Sequence, residues 1–287
     1  MDTALPSISP SDLRARLGRA GTLLLDVRRP QVFADSPGLL PGAIHCPPDE
    51  VEAFARSQPP REVVVYCRYG HNLSEDATRI LRAAGWDARL LQGGIEGGEP
   101  GADRLQDIAR WREQPLPRIR KRPDLGVTGE RASRWITRAR PKIDRIACPW
   151  LVQRFIDPRA EFFYVPTDEV MAEARRLAAV AYDIPGAPIT HEWERCSFDA
   201  LLKAFGIDDP ALHVLATIVR GADTDRLGLA PQSAGLLALS LGLSRLHADD
   251  HAMLQAALPL YDALYAWCQD GQGESHRWVA HDTERAA

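Results

Sequence analysis

Val63-Val64-Val65-Tyr66-Cys67-Arg68-Tyr69-Gly70-His71-Asn72-Leu73-Ser74 is the stretch whose reading decides the fold. A short β-branched run ends in a cysteine, a tight polar loop follows, and an amphipathic helix begins at once. Parallel strands with such a strand–loop–helix turn hold ligands at their carboxyl ends. In this arrangement the N–H groups of the loop and of the first helical turn converge on the sulfur. The helix N-terminus then favours thiolate over thiol. The same cradle suits an incoming anion. The expectation is cysteine chemistry on an anionic or sulfur-bearing substrate.

Working outward, strand and helix signals alternate. Thr22–Val27 reads as a buried strand, Asp49–Arg56 as a helix, Glu62–Tyr66 as a strand and Leu73–Ala84 as a helix with Leu73, Ala77, Ile80, Leu81 and Ala84 on one face. Gly85 closes that helix, Ala88–Leu91 returns as a strand, Gly93-Gly94 turns, and Asp103–Trp111 reads as a last helix. Repeated βα units imply a parallel sheet with helices on both faces, an α/β domain over residues 1–113. Residues 114–132 mix Pro115, Pro117 and Pro123 with Arg118, Arg120, Lys121 and Arg122, the composition of a solvated, self-repelling linker.

Beyond it, strand signals nearly vanish. Pro149–Phe155, Thr167–Ala178, Phe198–Phe205, Pro210–Val219, Pro231–Leu243 and Asp250–Trp267 read as helices, with one short strand at Glu161–Val165. Several open on a proline or a capping residue, as at Thr167, Asp209-Pro210 and Asp249-Asp250. Residues 133–270 are therefore expected to form a mainly α-helical second domain. Residues 271–287, rich in Gly, Ser and charge, are expected to be poorly ordered.

Composition narrows the function classes. The length of 287 residues favours two domains, and a net charge of −4 gives no reason to expect a nucleic-acid or membrane-surface partner. The five cysteines, Cys46, Cys67, Cys148, Cys196 and Cys268, are odd in number and form no CxxC pair, which fits a reducing, cytoplasmic setting rather than a disulfide framework. The N-terminal residues lack the basic start and apolar core of a signal peptide, and no apolar run reaches bilayer length. Oligomeric state is not legible.

Four motifs in order, Leu24-Leu25-Asp26-Val27-Arg28, Pro41-Gly42-Ala43-Ile44-His45, the Cys67 loop and Leu91-Gln92-Gly93-Gly94-Ile95, resemble the rhodanese domain. The resemblance implies that Cys67 takes up a sulfane sulfur as a persulfide and passes it on. A small-molecule sulfur donor, a thiol acceptor and no cofactor would suffice. Arg68, Tyr69, Gly70, His71, Asn72 and Leu73 would form the substrate loop, and Asp26 and Arg28 would brace it. Active rhodaneses usually carry an arginine where Asn72 stands and often a serine where Leu73 stands, which puts thiosulfate in question as the preferred donor. The related cysteine phosphatases need an arginine six positions after the cysteine to clamp phosphate. Leu73 occupies that place, so the phosphatase reading fails. Cys46 reads as a small buried hydrophobe.

In the second region, Pro149 is expected to sit at the first position of a helix, with Cys148 outside it. Arg138, Lys142 and Arg145 would then lie near a helix N-terminus, the makings of an oxyanion site, or else pair with Asp144 and Asp157. His191, Cys196, Asp223 and Asp225 are candidate ligands of a transition metal, although no spacing is diagnostic. Asp223 and Asp225 also have a capping or ion-pairing reading, and Tyr261, Leu264, Tyr265 and Trp267 a packing one. The segments 140–150, 220–226 and 261–268 resemble the C-terminal domain of the chromate-resistance protein ChrB. That family is tied to chromate resistance and chromate-responsive regulation, and the tetrahedral chromate dianion suits an arginine-lined site. In regulatory members the domain follows a DNA-binding module; here the rhodanese-like region takes that place, so direct nucleic-acid binding is not expected. The combined expectation is a sulfurtransferase acting in chromate or oxyanion stress. The rival is a non-catalytic chromate or redox sensor, and a third reading is a chromium reductase with both sites on one cleft.

Overall fold

The computed structural model describes residues 5–274. Its first part is a parallel sheet built from β1 (Ser7–Ile8), β2 (Leu23–Asp26), β4 (Ala43–His45), β5 (Glu62–Tyr66) and β6 (Asp87–Leu91), in the order β1-β6-β5-β2-β4. Helices α1 (Pro10–Arg14), α2 (Pro30–Asp35), α3 (Val51–Ser57), α4 (Asn72–Ala83) and α5 (Leu105–Glu113) connect or flank the strands. Leu23 pairs with Val63 and Asp26 with Tyr66, which brings the ends of β2 and β5 level. This is the expected α/β domain, with helix and strand limits within a residue or two of those read from the sequence.

The strand period of two sorts the sheet residues into two cores. Leu23, Leu25, Val63, Val65 and Ala88 face one side and pack with Val51 and Ala55 of α3 and Ala77 and Leu81 of α4. Leu24, Val64, Tyr66 and Leu91 face the other side. Their core continues without a break through Leu13, Leu17 and Phe33 into Trp150, Leu151 and Phe155 of the second part. The contact is close: an added Cβ at Gly18 would lie 2.1 Å from the Phe155 ring, and the Gly42 N–H donates to the Phe155 carbonyl at 2.8 Å. The two parts thus share a core.

The expected linker is likewise an ordered strap. β7 (Ile119–Arg120) pairs antiparallel with β3 (Gly38–Leu39), and Ile119 is buried. Three of its cations find partners rather than repelling one another in solvent. Arg118 binds Glu96 at 3.0 Å and the Ile95 carbonyl at 2.7 Å, and Arg122 binds Asp124 at 2.6 Å. Lys121 lies 3.4 Å from the centre of the Phe33 ring and donates to the Phe33 carbonyl. Burial lowers the Lys121 pKa to about 8, with Arg28 nearby adding to the effect.

The second part is helix-rich, as expected, but it also holds a three-stranded parallel sheet of order β10-β8-β9. Its strands are β8 (Arg134–Arg138), β9 (Glu161–Val165) and β10 (Val180–Ala181), of which only β9 was read from the sequence. Helices α6 (Asp144–Leu151), α7 (Val170–Leu177), α8 (Ser197–Phe205), α9 (Pro210–Asp223), α10 (Ser233–Leu246) and α11 (Asp250–Asp270) complete it.

Helix α6 begins five residues before the expected start, and Cys148 is a buried helical residue. Pro149 lies inside the helix and cannot donate to the Arg145 carbonyl. The Tyr182 hydroxyl donates to that carbonyl instead, at 3.3 Å, and removes much of the cost of the missing bond. A π-helical turn, Val152–Ile156, follows. The capping readings hold at Asp209 and Asp249, whose carboxylates accept N–H groups of α9 and α11. At α7 the N-cap is Glu169 rather than Thr167. No described helix is long and apolar enough to cross a membrane. Gly271–Gly273 forms a short 3-10 turn after α11, and the rest of the expected disordered tail, from residue 275, lies outside the described residues.

Candidate functional sites

Cys67 follows the last residue of β5, and its loop ends where α4 begins at Asn72. Two tight approaches hold the loop. Gly70 (φ +85°) has no room for a side chain: a Cβ would sit 2.8 Å from the Gly94 nitrogen and 2.9 Å from the Leu91 carbonyl. Gly94 (φ +58°) is pressed still closer, with a Cβ position 2.5 Å from the Gly70 nitrogen and 2.6 Å from the Cys67 carbonyl. The Gly93-Gly94 turn read from the sequence is therefore the brace of the cysteine loop.

The carbonyls of Cys67 and Arg68 accept the N–H groups of Ile95 (3.0 Å) and Glu96 (2.9 Å). Because a trans peptide points its N–H opposite its carbonyl, the Arg68 and Tyr69 N–H groups face away from that brace. None of the N–H groups of residues 68–73 finds an acceptor among the described residues. The Cys67 sulfur lies 3.1 Å from the Ser74 hydroxyl, which also donates to the His71 carbonyl at 3.0 Å.

A cleft of about 240 Å³ opens beside the sulfur, lined by Arg28, Arg29, Cys67, Arg68, Tyr69, His71, Asn72, Leu73 and Glu99 among others. No residue of the second part lines it, so the two candidate sites do not share this cleft. The Arg68 guanidinium lies over the Tyr69 ring at 4.9 Å. His71 Nε2 is 3.1 Å from Asp103, whose same oxygen accepts the Glu99 N–H at 2.7 Å.

Asp26 and Arg28 form an ion pair, and Arg28 Nη2 also donates to the Gly38 carbonyl at 3.2 Å. Arg28 Nε lies 2.9 Å and its Nη2 2.6 Å from the Asp26 carboxylate, both side chains almost fully buried. Cys46 is buried as expected, and burial, with Glu50 and Asp49 nearby, pushes its thiol up to about 12. Ser74 and Asp103 were missed. Ser74 sits in the first turn of the helix that follows the cysteine, a position that could have been examined, whereas nothing in the local sequence marks Asp103.

The second region gathers its polar residues from distant segments. His191 Nε2 lies 3.1 Å from Asp183 Oδ1, 3.1 Å from Asp223 Oδ2 and 3.7 Å from Asp144 Oδ2. Hydrogen bonds to the Asp183 and Asp223 carboxylates raise the His191 pKa to about 10. Asp144, the first residue of α6, is fully buried. Its two oxygens accept the N–H groups of Ser197 (2.6 Å) and Phe198 (3.0 Å) at the start of α8. Burial, with Asp223 and Asp183 beside it, raises the Asp144 carboxyl above the usual carboxylate range. Asp183, at a left-handed φ of +52°, accepts the Ser197 hydroxyl at 3.0 Å. Burial works against its ionisation, but the hydrogen bond to His191 and the neighbouring Arg145 hold its carboxyl below the usual range.

The sequence-based ligand set is thus corrected in composition. His191 and Asp223 meet, and Asp144 joins them. Cys196 instead caps α8, where its thiol lies 3.5 Å from Asp199 and burial raises its pKa. Asp225 is outside the cluster, in a left-handed turn residue after α9. Arg145 lies near a helix N-terminus as expected, but the ion-pair partners differ. Arg138 lies at the end of β8 and Arg145 in the first turn of α6, and both bind Asp183, at 3.1 Å and 3.2 Å, instead of Asp144 and Asp157. Asp157 pairs with Arg159. Tyr261 and Tyr265 pack against Trp150, as the packing reading required.

Residues 9–99 match the model of the rhodanese-like domain, and residues 135–268 match the model of the ChrB C-terminal domain. Over 146 residues the chain is 32% identical to the protein ChrB of Cupriavidus metallidurans, a match that covers 50% of this chain and 43% of that protein. Among solved structures, a rhodanese-related protein from Thermoplasma volcanium is 24% identical, with 40% of this chain and 97% of that one covered and a TM-score of 0.30. A rhodanese homolog from the extremely thermophilic bacterium Thermus thermophilus is 30% identical, with 32% and 98% covered and a TM-score of 0.27. The chain therefore carries a rhodanese-like domain at residues 9–99 and a ChrB C-terminal domain at residues 135–268.

Proposed function

We propose that the rhodanese-like domain transfers sulfur through a persulfide on Cys67, and that its partner domain ties this chemistry to chromate or related oxyanion stress in the cytoplasm. The observation that carries the reading is the run of uncommitted N–H groups at residues 68–73 around a cysteine at the end of a parallel strand. The Cys67 thiolate attacks the sulfane sulfur of the donor. The donor's sulfur–sulfur bond breaks, and the donor leaves as a thiolate or, from thiosulfate, as sulfite. The terminal sulfur of the new Cys67 persulfide carries the negative charge, and the uncommitted loop N–H groups stabilise it. A thiolate acceptor then attacks that outer sulfur and releases the Cys67 thiolate.

Arg29 and Arg68 line the cleft and supply the positive charge that Asn72 does not. The test is incubation of the full chain with thiosulfate and, separately, with glutathione persulfide, followed by mass spectrometry of the Cys67 peptide. A cyanide-labile gain of one sulfur atom, absent in Cys67→Ser, supports transfer and identifies the accepted donor. No gain from either donor removes the proposal and leaves the redox- or chromate-sensor reading.

A further inference from the structure

Three carboxylate oxygens converge on one nitrogen of His191. An imidazole nitrogen carries at most one hydrogen, yet His191 Nε2 faces oxygens of Asp183 and Asp223 at 3.1 Å each and of Asp144 at 3.7 Å. A cation with ligand bonds of about 2.1 Å spaces neighbouring donors about 3 Å apart, which the two 3.1 Å separations match. One ligand atom each from Asp144, His191 and Asp223 lies within 4.8 Å of the other two.

Asp183 is met by Arg138 and Arg145, so Asp144 and Asp223 are the two carboxylates left to face a divalent cation, which takes the place of the His191 proton. The surroundings hold the ligands in place. The Ser197 and Phe198 N–H groups fix Asp144, and the Ser197 hydroxyl fixes Asp183 Oδ1. Such outer contacts are a usual part of metal sites. His191 is 38% exposed, which leaves a path for an ion to enter.

The geometry points to a divalent transition-metal site in the ChrB C-terminal domain, with Asp144, His191 and Asp223 as ligands and Asp183 Oδ1 as a fourth donor. One nitrogen and several carboxylate oxygens suit manganese, iron, cobalt or zinc better than calcium or magnesium. The site is separate from the Cys67 loop and does not depend on sulfur transfer.

The full chain, stripped with a chelator, is titrated with Co2+ and followed by visible absorption and by elemental analysis after gel filtration. The expected result is one Co2+ per chain, with ligand-field bands and no thiolate charge-transfer band, unchanged in Cys67→Ser. Asp223→Asn is the decisive variant, because His191 is the one polar partner of its carboxylate among the described residues. It should bind Co2+ at least about 100-fold more weakly. If its circular dichroism shows that it has not folded, His191→Gln takes its place. No stoichiometric binding to the native chain, equal affinity in the variant, or loss of binding in Cys67→Ser would each overturn the assignment.

Discussion

Around Cys67 the chain uses backbone, drawn from residues 67–74 and braced by residues 93–96. Around His191 it uses side chains brought from the start of α6, the turn after β10, an irregular loop and the end of α9. A backbone cradle tolerates changes in most of its side chains but not in its path. A side-chain cluster is the reverse: it accepts any route that delivers the carboxylates and fails when one carboxylate is lost. The difference sets what each substitution should do.

The largest effect is expected at the one side chain the cradle cannot replace. Cys67→Ser should abolish persulfide formation, a loss of more than about a thousandfold, with stability little changed. Residual transfer at native rates would break the comparison at its root. Next is Phe155→Ala, which removes a buried ring from the shared core and should cost about 3–5 kcal/mol. Calorimetry should show one cooperative transition shifted down. Two transitions, with the rhodanese-like one unmoved, would mean the regions are energetically separate.

Gly94→Ala tests the path of the backbone. The new Cβ meets three backbone atoms of the loop at 2.5–2.7 Å, so persulfide formation should fall by about tenfold or more, while Asn72→Ala should change it only a few-fold. Equal effects of the two would argue against a backbone-built site. Tyr182→Phe strips the substitute donor from the Arg145 carbonyl beside the second cluster and should cost about 1–2 kcal/mol, read by urea unfolding.

The smallest effect concerns the strap. The pKa of Lys121 is depressed to about 8 in the folded chain, so between about pH 8 and its ordinary value the unfolded chain holds more protons and stability rises with pH. The difference in unfolding midpoint between Lys121→Met and the native chain should shift in favour of the native chain across that window. A pH-independent difference would sink the assignment.

The same contrast explains what the sequence discloses. The Cys67 loop is contiguous, so its β-branched run, its cysteine and the following helix can be read together. Asp183 could not be found, because a lone aspartate after a two-residue strand looks like any turn residue. β8 was missed because it carries arginine at both ends and leaves only Trp135-Ile136-Thr137 as a strand signal. Pro149 pointed to a helix start because the first helical position favours proline, and only tertiary contact with Tyr182 makes it acceptable inside α6. The strap misled through composition: its prolines and cations describe a solvated linker until Glu96, Asp124 and the Phe33 ring are brought alongside.

The shared core also affects the order in which the protein can be made. When residues up to Glu113 have left the ribosome, the face carrying Leu24, Val64 and Tyr66 still lacks Trp150 and Phe155. At about 5–20 residues per second, the intervening stretch of about 40 residues leaves that face incomplete for about 2–8 s. Nascent chains stalled short of Phe155 should therefore be cut readily by protease and held by chaperones, and those stalled well beyond it should resist. The rhodanese-like domain is translated first but is not expected to be finished first.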